Sequence, residues 1–98
     1  MQLLTKEILK RLPPLWSTEG TPLDEIIAQV KFFTPDAGWT WYAVEFDGKD
    51  VFWGLAHGFE KELGYFSLSE LTSVRGTLGL PVERDRFFKP TPLKELMD

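Results

Sequence analysis

Few side chains of this protein can do acid–base chemistry, and their spacing matches no catalytic pattern. His57 is the single histidine, and no serine or cysteine nucleophile motif accompanies it. Glu60 and Glu62 would share one face of an extended strand, yet Lys61 and a nearby turn indicate ordinary solvated carboxylates. We therefore expect a non-enzymatic protein and no catalytic residue. The alternative is a small enzyme that uses His57 or the Glu60/Glu62 pair.

Metal and phosphate sites are equally poorly supported. The chain has no cysteine, which excludes a thiolate metal site, a disulfide and a cysteine nucleophile. Asp47 and Asp50 lack the spacing of a calcium loop. The glycines are too dispersed for a phosphate-binding loop. The sequence therefore predicts no metal and no cofactor.

The aromatic residues are the strongest chemical signal. Eleven of the fourteen aromatic residues lie between positions 32 and 66, more than a core of this size requires. Tryptophan, tyrosine and arginine are the side chains that most often anchor protein interfaces. We therefore predict a protein partner bound through an exposed patch that includes Trp39 and Trp41. The structural alternative is that both indoles cover Gly54 and Gly58 on the neighbouring strand.

A nucleic-acid partner is the second interpretation. Aromatic rings on a sheet can stack bases while basic side chains contact phosphates. The candidate residues are Trp39, Trp41, Phe52, Lys31, Arg84 and Arg86. The net charge of −4 argues against it, because such affinity usually depends on a basic surface.

The length and composition favour one small folded unit. The 98 residues, 43% of them hydrophobic, predict a single α+β domain over residues 1–98. The N-terminus lacks the pattern of a secretion signal, and no apolar run approaches about 20 residues. We expect a cytoplasmic protein that does not enter a membrane.

A β-hairpin centred on Asp47 and Gly48 is the clearest structural prediction, because Asp-Gly between β-branched and aromatic runs is typical of such turns. A four-residue loop then fixes the strand register on both faces. The face predicted to form the core pairs Phe46 with Val51, Val44 with Trp53, Tyr42 with Leu55, and Thr40 with His57. The opposite face pairs Trp41 with Ala56, Trp39 with Gly58, and Ala43 with Gly54.

Further strands extend this hairpin into an antiparallel sheet of four to five strands. Residues 63–67 are predicted to form the next strand of a meander. Residues 24–33 fit a strand or a short helix, and their β-branched and aromatic content favours a strand with Ile26, Ala28, Val30 and Phe32 on one face. A turn over residues 34–38 joins it to the hairpin. Residues 82–88 are predicted to form a fifth strand, with Val82, Arg84, Arg86 and Phe88 on one face and Glu83, Asp85 and Phe87 on the other.

Three short helices are predicted at the N-terminus, after the meander and at the C-terminus. Thr5 is a suitable N-cap for a helix to about Leu12, with an apolar stripe of Ile8, Leu9 and Leu12. Ser67 and Glu70 form a capping box for the second helix, which ends near Gly76. Thr91 and Pro92 begin the third, over residues 93–97.

Four stretches together resemble an uncharacterised bacterial family, domain of unknown function 2958. They are LLTKEILKRLPPLWSTE, KFFTPDAGWTWYAVEFDG, FWGLAHGFEKELGYFSLSEL and RGTLGLPVERDRFFKP. Members of that family occur on plasmids and other mobile elements, so the resemblance implies an accessory role in transfer, maintenance or escape from host defences. It implies no activity and no cofactor.

The positions that match the family signature add candidates to the binding site. They are Glu19, Trp39, Trp41, Tyr42, Glu60, Gly64, Tyr65, Glu83, Arg84 and Asp85. From these and the aromatic patch we predict a binding site made of Glu19, Trp39, Trp41, Arg84 and Asp85. If residues 82–88 form a strand, Arg84 and Asp85 point to opposite faces and need not act as a pair.

Overall fold

A five-stranded antiparallel sheet forms the centre of the computed structural model, which describes residues 2–98. The elements in chain order are α1 (Lys6–Arg11), β1 (Ile27–Ala28), β2 (Val30–Phe33), β3 (Thr40–Phe46), β4 (Val51–His57), β5 (Lys61–Ser67), α2 (Leu68–Ser73), β6 (Glu83–Arg84), β7 (Thr91–Pro92) and α3 (Leu93–Met97). The sheet order is β5-β4-β3-β2-β6, and β1 pairs with β7 in a separate two-stranded ladder. The predicted α+β fold with an antiparallel meander is confirmed. Within residues 2–98, no helix is both long and apolar enough to cross a membrane.

The strand predicted over residues 24–33 is interrupted. β1 and β2 are separated at Gln29, whose N–H donates to the Ala43 carbonyl at 2.8 Å. Ile26 and Ala28 pack in one core, whereas Val30 and Phe32 pack in the other. The prediction that these four side chains share one face is therefore wrong, because the chain changes partner strands at the interruption.

The fifth strand is shorter than residues 82–88. Only β6 pairs with β2, because Asp85 begins a turn in which its Oδ1 accepts from the Phe87 N–H at 2.9 Å. Val82 then lies in one core and Phe88 packs against the other. The prediction that Val82 and Phe88 share a face is wrong for this reason.

Local signals place the first residues of α1 and α2 correctly, but α2 ends at Ser73 with Val74 as its C-cap, before the predicted stop at Gly76. The Thr5 hydroxyl accepts from the Ile8 N–H at 3.2 Å and caps α1, and both halves of the capping box between Ser67 and Glu70 are formed at α2. The apolar stripe of α1 is narrower than predicted, since Leu9 is 43% exposed while Ile8 and Leu12 are buried.

Each face of the sheet carries a buried core. The larger core lies between the sheet, α1 and α2, and it contains Leu3, Ile8, Leu12, Val30, Phe32, Trp41, Ala43, Phe46, Phe52, Phe66, Leu71 and Val82. The smaller core contains Ile26, Ala28, Val44, Leu55 and Leu93. The face predicted to form the core therefore carries the smaller of the two, and the face of Trp41 carries the larger.

A β-bulge at Val44 changes the predicted hairpin register halfway along β3. The pairs Thr40–His57, Trp41–Ala56, Tyr42–Leu55 and Ala43–Gly54 are confirmed. Beyond Ala43 the register shifts by one residue, so Glu45 pairs with Trp53 and Phe46 with Phe52. The predicted pairs Val44–Trp53 and Phe46–Val51 are wrong, because the extra residue of a bulge is not visible as a break in the alternating pattern.

The Asp47 side chain organises the turn between β3 and β4. Its Oδ1 accepts from the backbone N–H groups of Lys49, Asp50 and Val51 at 2.8, 2.8 and 3.0 Å. Gly48 supplies the positive φ of 84° that the turn needs. These hydrogen bonds, from Asp50 first and then Lys49, lower the pKa of the Asp47 carboxyl.

We predict that the Asp47→Asn variant removes one source of acid sensitivity. A carboxyl with a lowered native pKa stabilises the fold above its unfolded pKa, about 3.9, and loses that contribution as the pH falls through its native pKa. The difference in unfolding free energy between wild type and Asp47→Asn should therefore shrink between pH 7 and pH values below about 3.9. Urea titrations across that range measure it. A difference that does not change with pH would contradict the role given to this carboxylate.

Candidate functional site

Three residues form a row across adjacent strands on the face of the smaller core. Glu45 on β3 pairs with Trp53 on β4, and Trp53 pairs with Tyr65 on β5. The next row, Phe46, Phe52 and Phe66, lies in the larger core, and its rings stack at centroid distances of 4.4 and 5.2 Å. The bulge therefore directs a carboxylate, and not a phenyl ring, to the side of Trp53 and Tyr65.

Glu45 is buried beneath the segment between α1 and β1. Its side chain is almost inaccessible, with a relative exposure of 3%. Oε1 accepts from the Trp16 N–H at 2.8 Å, and Oε2 accepts from the Thr18 N–H at 2.9 Å and from the Thr18 hydroxyl. A buried carboxylate needs such donors to compensate for lost hydration. Glu45 therefore holds residues 14–21 in place over the sheet.

Trp16 adopts a backbone conformation that tryptophan rarely takes. Its φ is 69°, and among residues 2–98 no other non-glycine residue has a positive φ. Its indole N–H donates to the Tyr65 hydroxyl at 2.9 Å, while the two rings stay 66% and 58% exposed. Strained backbone of this kind persists only where surrounding contacts enforce it, and it occurs often at binding sites.

These residues enclose an open cleft of about 520 Å³, which we call the Glu45 cleft. Its lining residues are Trp16, Thr18, Glu19, Gly20, Thr21, Ile26, Glu45, Trp53 and Tyr65. The volume lies in the usual range of ligand sites. Because both oxygens of Glu45 already accept hydrogen bonds, this carboxylate positions the loop and is poorly suited to act as a base. The cleft is suited to binding.

The two predicted tryptophans differ in accessibility. Trp41 is buried in the larger core at 8% exposure, and Trp39 is 37% exposed and stacks on it at 6.0 Å. Trp39 also makes an edge contact at 5.9 Å with Phe59, which is 97% exposed. Its indole lies directly over Gly58. Trp39 and Phe59 thus form a second, smaller aromatic surface, on the other face of the sheet from the Glu45 cleft.

The remaining predicted site residues do not converge. Glu19 lines the Glu45 cleft, whereas Arg84 and Asp85 line a separate groove. There, Asp85 forms an ion pair with Lys31 at 3.7 Å, and the Arg84 guanidinium donates to the Gln2 carbonyl at 2.6 Å.

The groups considered for nucleic-acid binding and for catalysis are also dispersed. Phe52 is fully buried and Trp41 nearly so, so neither ring can stack a base. His57 is half-buried on β4, while Glu60 and Glu62 are exposed beside the Trp39–Phe59 surface. In the part of the chain that the structure describes, no three His, Cys, Asp or Glu side chains are grouped to hold a metal ion.

Of the residues that line the cleft, Glu19 alone was among the predicted site residues. The missed residues include Trp16, Glu45, Trp53 and Tyr65. Tyr65 belongs to the family signature, so that signal was present but was not linked to a site. Glu45 had no signal, because only the bulge at Val44 places it there. The two tryptophans approach the site from distant parts of the chain, which the order of residues does not show.

The fold and the cleft define a small α+β protein with an open, aromatic-lined cleft. A family model described as Protein of unknown function (DUF2958) matches residues 3–96, so the chain belongs to this family. No curated protein and no solved structure matches the chain.

We predict that Glu45→Ala releases residues 14–21 from the sheet. The substitution leaves the donors of Trp16 and Thr18 without their acceptor, and we expect a loss of about 2–4 kcal/mol in unfolding free energy. Urea denaturation measures the loss, and hydrogen exchange at the Trp16 and Thr18 amides locates it. The matched control is Glu62→Ala, an exposed carboxylate on β5, which should change stability by less than about 0.5 kcal/mol. Unchanged protection of the Trp16 amide would contradict this role of Glu45.

A second prediction concerns the packing of Trp39. A methyl group at residue 58 would collide with the Trp39 indole, so Gly58→Ala should displace that ring and cost about 1–3 kcal/mol. The matched control is Gly64→Ala on β5, where an added methyl group meets no atom within 4 Å. The indole N–H resonance of Trp39 and urea denaturation report the two effects. Equal behaviour of the two variants would show that the indole does not pack against Gly58.

Proposed function

We propose that this protein is a non-enzymatic interaction protein that binds a partner protein through the Glu45 cleft. The observation that supports it most strongly is the exposure of Trp16 and Tyr65 beside a cleft whose floor is a buried, fully hydrogen-bonded carboxylate. Large exposed aromatic rings on a soluble protein often mark an interaction surface. Rings of this kind supply most of the binding energy in many interfaces.

The rigidity of the cleft favours tight binding by a small surface. Three turns shape the loop, in which the N–H groups of Ser17, Glu19 and Thr21 donate to the carbonyls of Pro14, Trp16 and Thr18. The loop is further tied to β3 by the Phe46 N–H, which donates to the Pro13 carbonyl at 2.9 Å. A surface that is ordered before binding loses less conformational entropy when the partner binds.

The biological setting of this interaction is also part of the proposal. We propose a cytoplasmic accessory factor of plasmids and other mobile elements, with an anti-defence role as one form of it. The motivation is the resemblance of residues 3–96 to the family and the acidic net charge of −4, which suits docking on the basic surface of a nucleoprotein assembly.

The test is affinity capture from a host lysate with matched surface variants. Trp16→Asn removes the indole and keeps a residue that tolerates a positive φ, and Tyr65→Ser removes the phenol. Recovery of the captured protein should fall about tenfold or more with either variant, as expected for an interface anchor. The control is Phe87→Ser, which removes a ring that is 86% exposed in a different groove.

The proposal fails if the control variant reduces recovery as much as the cleft variants do. It also fails if the captured material disappears after nuclease treatment, which would instead support the nucleic-acid interpretation. Circular dichroism of each variant excludes loss of folding as the cause.

A further inference from the structure

We propose that the occupant of the Glu45 cleft is an arginine side chain of the partner protein. This inference rests on the proposed function and specifies the chemistry that the cleft recognises. The charges that line the cleft, the rings that face it and the exposed Glu19 carboxylate support this occupant.

The charge of the cleft has one sign. Among the described residues that line it, Glu19 and Glu45 are acidic, and none is basic. The groove that contains Lys31, Arg84 and Arg86, together with Glu83 and Asp85, is separate from the cleft. An acidic cleft attracts a cationic group and disfavours an anionic one.

The rings of the cleft favour a planar cation. Trp16, Trp53 and Tyr65 supply two indoles and one phenol to its walls, and cations bind preferentially over the faces of such rings, with tryptophan the strongest. A guanidinium group is flat and weakly hydrated, so it stacks on a ring more readily than the compact ammonium of lysine. The Trp16–Tyr65 hydrogen bond holds two of these rings in place before any ligand arrives.

The exposed carboxylate of the cleft can accept from a donor. Glu45 is buried, and its oxygens already accept from Trp16 and Thr18, so it contributes negative charge but no ligand contact. Glu19 is exposed and lines the same cleft. Its backbone N–H donates to the Trp16 carbonyl at 3.1 Å, which places it in a turn beside that indole. A guanidinium carries five N–H donors, so it can contact a carboxylate while its plane remains on a ring.

The test uses N-acetyl-arginine amide as the probe and its citrulline analogue as the neutral control of equal shape. We expect arginine to shift the indole N–H resonances of Trp16 and Trp53, and citrulline to bind about five- to tenfold more weakly. Glu19→Gln should weaken arginine binding severalfold without changing citrulline binding. Glu62→Gln, which removes a carboxylate outside the cleft, should change neither.

Equal affinity for arginine and citrulline, or an arginine affinity that Glu19→Gln does not change, would overturn the assignment of a cationic occupant. Absence of arginine binding, with a captured partner still lost in Trp16→Asn, would overturn this inference and leave the proposed function standing. If arginine binds specifically but capture of partner proteins does not depend on the cleft, the arginine site is supported and the proposed function is contradicted.

Discussion

The β-bulge at Val44 determines what each face of the sheet carries at the end of β3. In a regular ladder, Val44 would pair with Trp53, Glu45 with Phe52, and Phe46 with Val51. A slip of one residue exchanges the two faces of a strand. Without the bulge, a carboxylate would therefore enter the phenylalanine stack of the larger core and a phenyl ring would face the cleft. The observed register puts Glu45 beside Trp53 and Phe46 against Phe52.

A buried carboxylate then requires compensation, and residues 14–21 supply it. The two backbone N–H groups and one hydroxyl that donate to Glu45 come from a loop in which no residue between 14 and 21 is buried. The positive φ of Trp16 costs of order 1–3 kcal/mol, which the hydrogen bonds to a charged acceptor offset. Glu45 therefore holds the backbone of Trp16, and the Tyr65 hydroxyl holds its indole. In this way the register of the sheet controls the shape of a surface on the loop.

Sequence patterns predicted the parts of the fold that local chemistry decides. The Thr5 cap, the Ser67–Glu70 capping box and the Asp47–Gly48 turn each depend on residues within four positions of one another. The bulge depends on how β3 packs against β4 and on the groups that Glu45 contacts in a distant part of the chain. No short sequence pattern contains that information. The Glu45 cleft was therefore missed, although Glu19, one of its residues, had been chosen from the family signature.

The many aromatic residues are accommodated mainly by two cores and not, as the sequence suggested, by an exposed patch. The sequence suggested that a single core of this size had too many rings, and that Trp39 and Trp41 were both exposed. A sheet covered on both faces has two cores, so it absorbs more rings than one face requires. Trp41 is buried as a result, and Trp39 is partly exposed above it.

Burial of both faces also explains where binding surfaces remain. Ile26 belongs to the smaller core and lines the Glu45 cleft, so the cleft begins where the cover formed by β1, β7 and α3 ends. Exposed rings lie at the margins of the two cores, with Trp16 and Tyr65 on the side of the cleft and Phe59 on the other. Because the cleft shares Ile26 and Glu45 with the folded interior, its shape is coupled to the stability of the sheet. A ligand that fills the cleft should therefore stabilise the fold as well.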